Sequence, residues 1–262
     1  MDQSKVEIYH NDIIKDLLIT NKFSSIQDHK DILIVLRNQL DYVKNCINSI
    51  IENTSNFTLY IWDNDSDQDT KNYLNEVKNR LKEQVHIHTC EENLGFIIPN
   101  NELIKLGKSE YVVLLNSDTI VYKNWDTALI GMINQGYAQV GYMGGLLNEN
   151  GEGAKIELGD QIDFIPAWCT CIRRQIYEEH GLFDEKNLQF AYCEDADFSL
   201  RLKSCGERIY ALHLDYVTHF GSQTIKAVAD EGNLDVQRTF EQNHRWLRKR
   251  WKKYLESGRC YR

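Results

Sequence analysis

At 262 residues the chain is long enough for one large α/β domain with a well-filled core. Its 42% hydrophobic and 26% charged residues are ordinary for a globular protein, and two prolines leave little room for a stiff linker. A formal net charge of -9 speaks against a duplex nucleic-acid binder, which needs an excess of Lys and Arg to meet phosphates.

In chain order, residues 1–21 have no long apolar run and contain Asp2, Glu7, Asp12, Lys15 and Asp16. A secretory leader or membrane anchor is therefore not expected there. Residues 31–36 read DILIVL, a strand, and Leu40, Val43, Ile47, Ile50 and Ile51 then recur at helical spacing. Residues 57–62 form a second strand ending at the turn Asp63-Asn64-Asp65-Ser66, with a helical stripe of Tyr73, Leu74, Val77 and Leu81 behind it. Residues 85–88 alternate as a short strand, 97–106 are helical, and 111–115 are an apolar strand running straight into Asn116-Ser117-Asp118. This alternation predicts an α/β fold with a Rossmann-like, mixed but mostly parallel sheet flanked by helices. Beyond it the pattern is mixed: a glycine-rich stretch over 141–153, a strand over 167–172, a helix from Arg174 and another over 195–203.

The seven cysteines have no regular spacing, which fits reduced thiols better than a disulfide framework. Cys169 and Cys171 share one face of a strand and, with no second pair at zinc-ribbon spacing, read as packing residues.

In open sheets of this kind ligands sit beyond the carboxyl ends of the strands. Polar clusters follow three of them: Arg37 and Asn38, residues 63–67, and residues 116–118. Asn116 and Asp118 place an amide and a carboxylate within reach of one hard cation, although the tripeptide alone reads more readily as a turn. Glu194, Asp195 and Asp197 fall at a helix start, where the dipole favours anions. An N-cap needs one acid; the repulsion among three must be offset by a cation, a helix terminus or a substrate proton. His219 follows an apolar run ending at Val217, and Thr218, Gly221 and Ser222 beside it suit a polar site loop as readily as a structural turn.

Five ordered segments resemble the glycosyltransferases of family 2 with the GT-A fold, over roughly residues 31–222. They are Cys46-Ile47-Asn48-Ser49-Ile50; Trp62-Asp63-Asn64-Asp65-Ser66; Glu92-Asn93-Leu94-Gly95-Phe96 with Asn100-Asn101; Leu114-Leu115-Asn116-Ser117-Asp118; and Glu194-Asp195-Ala196-Asp197 followed by Thr218-His219. The resemblance implies an inverting transfer of a hexosyl or deoxyhexosyl group from a nucleotide-diphosphate sugar, UDP- or dTDP-linked. The acceptor it implies is the hydroxyl of a glycan or lipid-linked glycan in bacterial-type surface-polysaccharide synthesis, and the cofactor a divalent metal, Mn or Mg. Position by position, it implies that Asp63 binds the nucleotide base and that Asn93, Gly95 and Asn101 lie along the donor. Asp118, the last acid of a DxD motif, and His219 are matched to the metal, with Asn116 where the first acid usually stands. Asp195 is matched to the catalytic base, with Glu194 and Trp168 on the acceptor side. The sequence departs from the family at the neutral Asn116 and at Phe96-Ile97-Ile98-Pro99, where glycines are usual.

Asn116 leaves open a catalytically silent sugar-nucleotide-binding module. A sugar nucleotidyltransferase ranks below it, because residues 35–39 lack the glycine-rich loop of that chemistry. The expected organisation is an extension over 1–30, the GT-A domain over 31–225 and a basic, aromatic, helical extension over 226–262. In the last, Phe240, Trp246, Leu247, Trp251, Tyr254 and Leu255 are expected either to pack on the core or to lie on an anionic membrane. The expected location is the cytoplasm, free or peripheral at the inner face of the membrane.

Overall fold

The computed structural model describes residues 28–221 and 236–257; the N-terminal extension up to residue 27, residues 222–235, which include Ser222 and the start of the tail, and residues 258–262 lie outside the described residues. Four strand–helix steps open the fold: β1 (Lys30–Leu36), α1 (Leu40–Asn53), β2 (Phe57–Asn64), α2 (Gln68–Leu81), β3 (Val85–Cys90), α3 (Ile97–Leu106) and β4 (Tyr111–Leu115), then β5 (Thr119–Val121) and α4 (Trp125–Ile133). The mixed half adds β6 (Gln139–Tyr142), β7 (Gly144–Leu147), β8 (Gly153–Glu157), β9 (Cys169–Arg173), α5 (Arg174–His180), α6 (Glu194–Ser204), β10 (Ile209–Leu212) and β11 (Val217–His219). Helices α7 (Val236–Arg250) and α8 (Lys252–Leu255) follow.

A seven-stranded sheet runs in the order β10-β6-β9-β4-β1-β2-β3. β1, β2, β3 and β4 are parallel, and β9 enters antiparallel between β4 and β6. The expected mostly parallel α/β sheet is thus what forms. Both faces are covered, as the two-sided apolar sequences of β1 and β4 require. Ile32, Ile34, Val113 and Leu115 point into a core with α1, α2 and α4. Leu33, Val112 and Leu114 point the opposite way, into a core with α3, α5 and α6.

β2 runs on through Asp63 and Asn64, which pair with Thr89 and Cys90 of β3. The sequence placed Asp63 in a turn; instead its flanking strands carry the sheet through it, and it is fully buried. The glycine-rich stretch becomes β6 and the β7–β8 hairpin, and Cys169 and Cys171 are buried free thiols in β9.

The tail helices pack on the second core through Leu247 and Leu255. Trp251 Nε1 donates to Asp197 of α6 at 2.8 Å, and the Tyr254 hydroxyl donates to Asp163 at 2.6 Å. The tail's main apolar side chains are therefore spent on the protein itself. Among the described residues no helix is long and apolar enough to cross a membrane.

Lys30, at the base of β1, is 2% exposed and donates to Asp126 of α4 at 2.7 Å and to the Ser55 carbonyl at 3.0 Å. Removing one partner of a buried pair strands the other charge. Asp126→Ala is therefore expected to cost about 3–5 kcal/mol in urea unfolding, with most of it recovered in the Lys30→Met/Asp126→Leu double variant. A single variant as stable as wild type would show that the pair does not hold α4 to the base of β1.

Candidate active site

A cleft of about 220 Å³ opens at the carboxyl ends of β1 and β4, where the chain order switches from one side of β1 to the other. Arg37 from the end of β1, Asn64 from β2 and residues 116–118 after β4 line it, together with Asn93, Gly95, Trp168, Phe190, Tyr192, Glu194, Asp195 and His219.

Two pairings assemble one wall. β11 pairs antiparallel with β5 so that His219 lies opposite Thr119, and the Phe220 amide donates to the Asp118 carbonyl at 2.9 Å. This brings His219 Nε2 to 3.1 Å from Asp118 Oδ1. The β4–β9 register likewise sets Trp168 beside Asn116, whose amide donates to the Trp168 carbonyl at 2.7 Å. The Trp168 and His219 rings stack at 4.5 Å, 12° from parallel, fixing the imidazole plane.

His219 Nε2 is buried and, despite its closeness to Asp118, makes no hydrogen bond of proper angle. Ligands on adjacent corners of an octahedral ion with bonds of about 2.1 Å stand about 3.0 Å apart, so a hard divalent cation fits this pair. The charges favour one too: Asp118, Glu194 and Asp195 line the cleft, and among the lining residues Arg37 is the one permanently cationic side chain. An anionic ligand entering there needs a counter-cation.

Opposite this pair, Glu194 and Asp195 open α6. Cys193 before them is in the left-handed region, at φ 69, and turns both side chains toward the cleft. Burial, and then the charge on Asp195, hold the Glu194 carboxyl well above the usual range. Burial also pushes Asp195 up, to about 6, against the lowering effect of backbone amides at Ala196 and Ala167. Burial and mutual repulsion thus disfavour simultaneous ionisation of the pair.

Asn93 and Gly95 lie in the cleft, where Asn93 Oδ1 accepts from Asn64 Nδ2 at 2.7 Å and from the Gly95 amide at 3.0 Å. Two matched residues do not line it. Asp63 sits behind the wall, accepting from the Ser66 amide at 3.0 Å, while its other oxygen is buried without a partner. Asn101 is 1% exposed, and its amide is consumed by the Phe183 carbonyl at 3.0 Å and Glu185 at 2.7 Å. Its role is to tie α3 to the segment before α6, because the one-turn-deep position it occupies faces the core. Arg37 and Asn64 belong to the strand-end clusters that the sequence marked without giving either a role, whereas nothing periodic marks Phe190 and Tyr192, which also line the cleft.

The family model described as Glycosyl transferase family 2 matches residues 31–199. No curated protein matches the sequence. Among solved structures, the chain is similar to GalNAc-T7 crystallised with UDP, GalNAc and Mn2+, at 16% identity and TM-score 0.67 over 74% of this chain and 44% of that one. This chain therefore spans less than half of that protein. It is also similar to S. aureus TarS 1-349, at 16% identity and TM-score 0.58 over 88% and 73% of the two chains. A third is the mannosyltransferase PcManGT from Pyrobaculum calidifontis in complex with GDP-Man and Mn2+, at 10% identity and TM-score 0.60 over 90% and 72%. At such identities the likeness is one of fold.

Gly95 has φ 78, and a Cβ there would lie 2.5 Å from the Phe190 carbonyl oxygen. Gly95→Ala combines a left-handed backbone with a clash against main chain and is expected to cost about 1–3 kcal/mol by thermal unfolding. A Tm equal to wild type would mean that the two loops are not locked together.

Proposed function

Because the chain belongs to glycosyl transferase family 2 and has the GT-A fold, we propose that it is a metal-dependent inverting glycosyltransferase that moves a hexosyl or deoxyhexosyl group from a UDP- or dTDP-sugar to an acceptor hydroxyl. The observation that carries this reading is the Asp118–His219 pair, poised for a cation, facing the Asp195 carboxylate across one cleft. Mn2+ accompanies UDP in the GalNAc-T7 structure and GDP-Man in the PcManGT structure, which supports a nucleotide-linked donor and a divalent ion here.

In this mechanism Asp118 and His219, with Asn116 as a neutral third group, would hold Mn or Mg, which when bound would offset charge developing on the departing diphosphate. Arg37 adds a fixed positive charge on the same side. Asp195, ionised at neutral pH, accepts the proton of the acceptor hydroxyl as its oxygen bonds to the anomeric carbon. The bond from that carbon to the diphosphate oxygen breaks on the opposite face, and the electron pair leaves with the nucleotide. Attack from the far side inverts the centre. Glu194, beside Asp195 in the cleft, orients the acceptor, and Trp168 offers an apolar ring for a sugar face. Asn93 and Gly95 lie along the donor, and Asp63 reaches the nucleotide base only where donor binding opens the wall to its unpartnered carboxylate oxygen.

The acceptor in this reading is a glycan or lipid-linked glycan of surface-polysaccharide synthesis, and the location is the cytoplasm with contact at the inner membrane face. Support comes from the exposed Arg245, Arg248, Lys249, Lys252 and Lys253 on the outer side of the tail of an otherwise acidic chain. Asn116 in place of an acid favours a second reading, a silent sugar-nucleotide-binding module, which has no use for Asp195.

Binding to the native state alone raises the melting temperature, by an amount equivalent to about 2.7 kcal/mol at a hundredfold excess over Kd. UDP, dTDP or GDP is therefore expected to raise the Tm with Mn present and not in excess chelator, with the rise lost in Asp118→Ala and weakened in His219→Ala. Equal shifts in chelator, or none with any nucleotide, would remove the metal from the site.

Asp195→Asn keeps the shape and caps a helix about as well, so nucleotide binding persists while kcat falls about 10²–10⁴-fold. The base works ionised. With the carboxyl raised to about 6, turnover is full above that pH and is lost as pH falls through it. Wild-type turnover by Asp195→Asn in a chromatographic transfer assay would decide for the silent module.

A further inference from the structure

The wall of the cleft next to Asp195 is a segment that does not hold itself. Phe190, Tyr192 and Cys193 all have left-handed backbones, at φ 61, 79 and 69, which bulky residues avoid unless their surroundings impose them. One side is imposed by α3, whose first amides, Phe96 and Ile97, donate to the Phe190 carbonyl at 2.6 and 3.2 Å. The other side is held from the tail, far along the chain.

Asn243 of α7 is 1% exposed. Its Nδ2 lies 2.8 Å from the carbonyls of Gln189 and Ala191 and 3.1 Å from that of Tyr192, and its Oδ1 accepts from the Gln189 amide at 3.1 Å. A planar amide supplies two donor hydrogens, one of them shared, to three converging carbonyls and an acceptor to one N–H, all from one short side chain. Asp has no hydrogens to give, and Ala offers neither donor nor acceptor. A helix that only needed to pack would bury an aliphatic residue here, because an amide in a core costs free energy unless its bonds are made. Residue 243 also lies beyond the 31–199 segment that matches the family.

We propose that Asn243 is a positioning residue for the acceptor side of the cleft: from the C-terminal helix its amide holds residues 189–192 in the conformation that sets Phe190, Tyr192 and the start of α6 around Asp195. The proposal rests on the proposed reaction for the word acceptor, and on geometry alone for the clamp. The tail is then part of the active site. One turn into α6, Trp251 and Arg250 grip Asp197 at 2.8 and 3.1 Å, so the same tail anchors the helix that carries the base.

Cys193, buried at the end of the clamped segment, reports on it directly. The full-length protein and its Asn243→Ala and Asn243→Asp variants are labelled with N-ethylmaleimide under native conditions, and each cysteine is followed by mass spectrometry. Cys46, Cys169 and Cys171 in the cores report global opening, and exposed Cys205 reports reagent. Loss of several hydrogen bonds confined to one segment is expected to speed labelling of Cys193 about ten- to a hundredfold, with the core cysteines unchanged. In the transfer assay the acceptor KM is expected to rise about tenfold while UDP–Mn affinity by calorimetry holds, because the donor side is built by other elements. Cys193 as protected as in wild type overturns the clamp. So does opening of all buried cysteines together in both variants, which would make Asn243 a residue of general stability. Absence of UDP–Mn binding in the wild type counts against the proposed reaction and leaves the thiol result to judge the clamp.

Discussion

The pairing of β11 with β5 is the constraint on which the cleft depends. It joins a strand end at residue 219 to the loop after β4 through the register His219 opposite Thr119, and so places an imidazole nitrogen 3.1 Å from the Asp118 carboxylate. Neither side chain could find the other by local structure, since the whole mixed half of the fold lies between them. The pairing is short, and the Trp168–His219 stack and the Phe220 amide bond to the Asp118 carbonyl add the rigidity that its length does not provide. Preorganisation of this kind holds two polar groups in place so that they need not reorganise when a charged ligand arrives.

Around that pair the cleft divides its charge. Asp118 sits on the sheet side with the His219 imidazole beside it, and Asp195 sits on the helix side next to Glu194, whose carboxyl burial pushes up. Two carboxyl groups side by side at the start of α6 would repel if both ionised; desolvation raises both and disfavours that state. The helix start stabilises the remaining charge, and the raised basicity of Asp195 suits proton acceptance near neutral pH. Asp197, the third acid of the cluster, faces away to Trp251, Arg250 and Arg201. Three neighbouring acids thus separate into two that line the cleft and one structural anchor according to the direction each leaves the helix.

The sequence by itself determined the strand–helix alternation of residues 31–115, because apolar periods of two and of three to four are local properties that both faces of a covered sheet demand. It also placed Asn116, Asp118, Glu194 and Asp195, since strand ends and helix starts are where an open sheet exposes polar groups. Tertiary structure decided the rest. It carried β2 through Asp63 and buried that side chain, because pairing on both flanks outweighs the turn preference of Asp-Asn. It turned Asn101 inward to tie α3 to the segment before α6, and it brought Phe190 and Tyr192 to the wall through left-handed backbones that no residue type announces. It also spent the apolar side of the tail on the core: whether an amphipathic helix covers its own protein or another surface depends on the apolar area waiting for it, and that area exists only once α6 and its neighbours have folded.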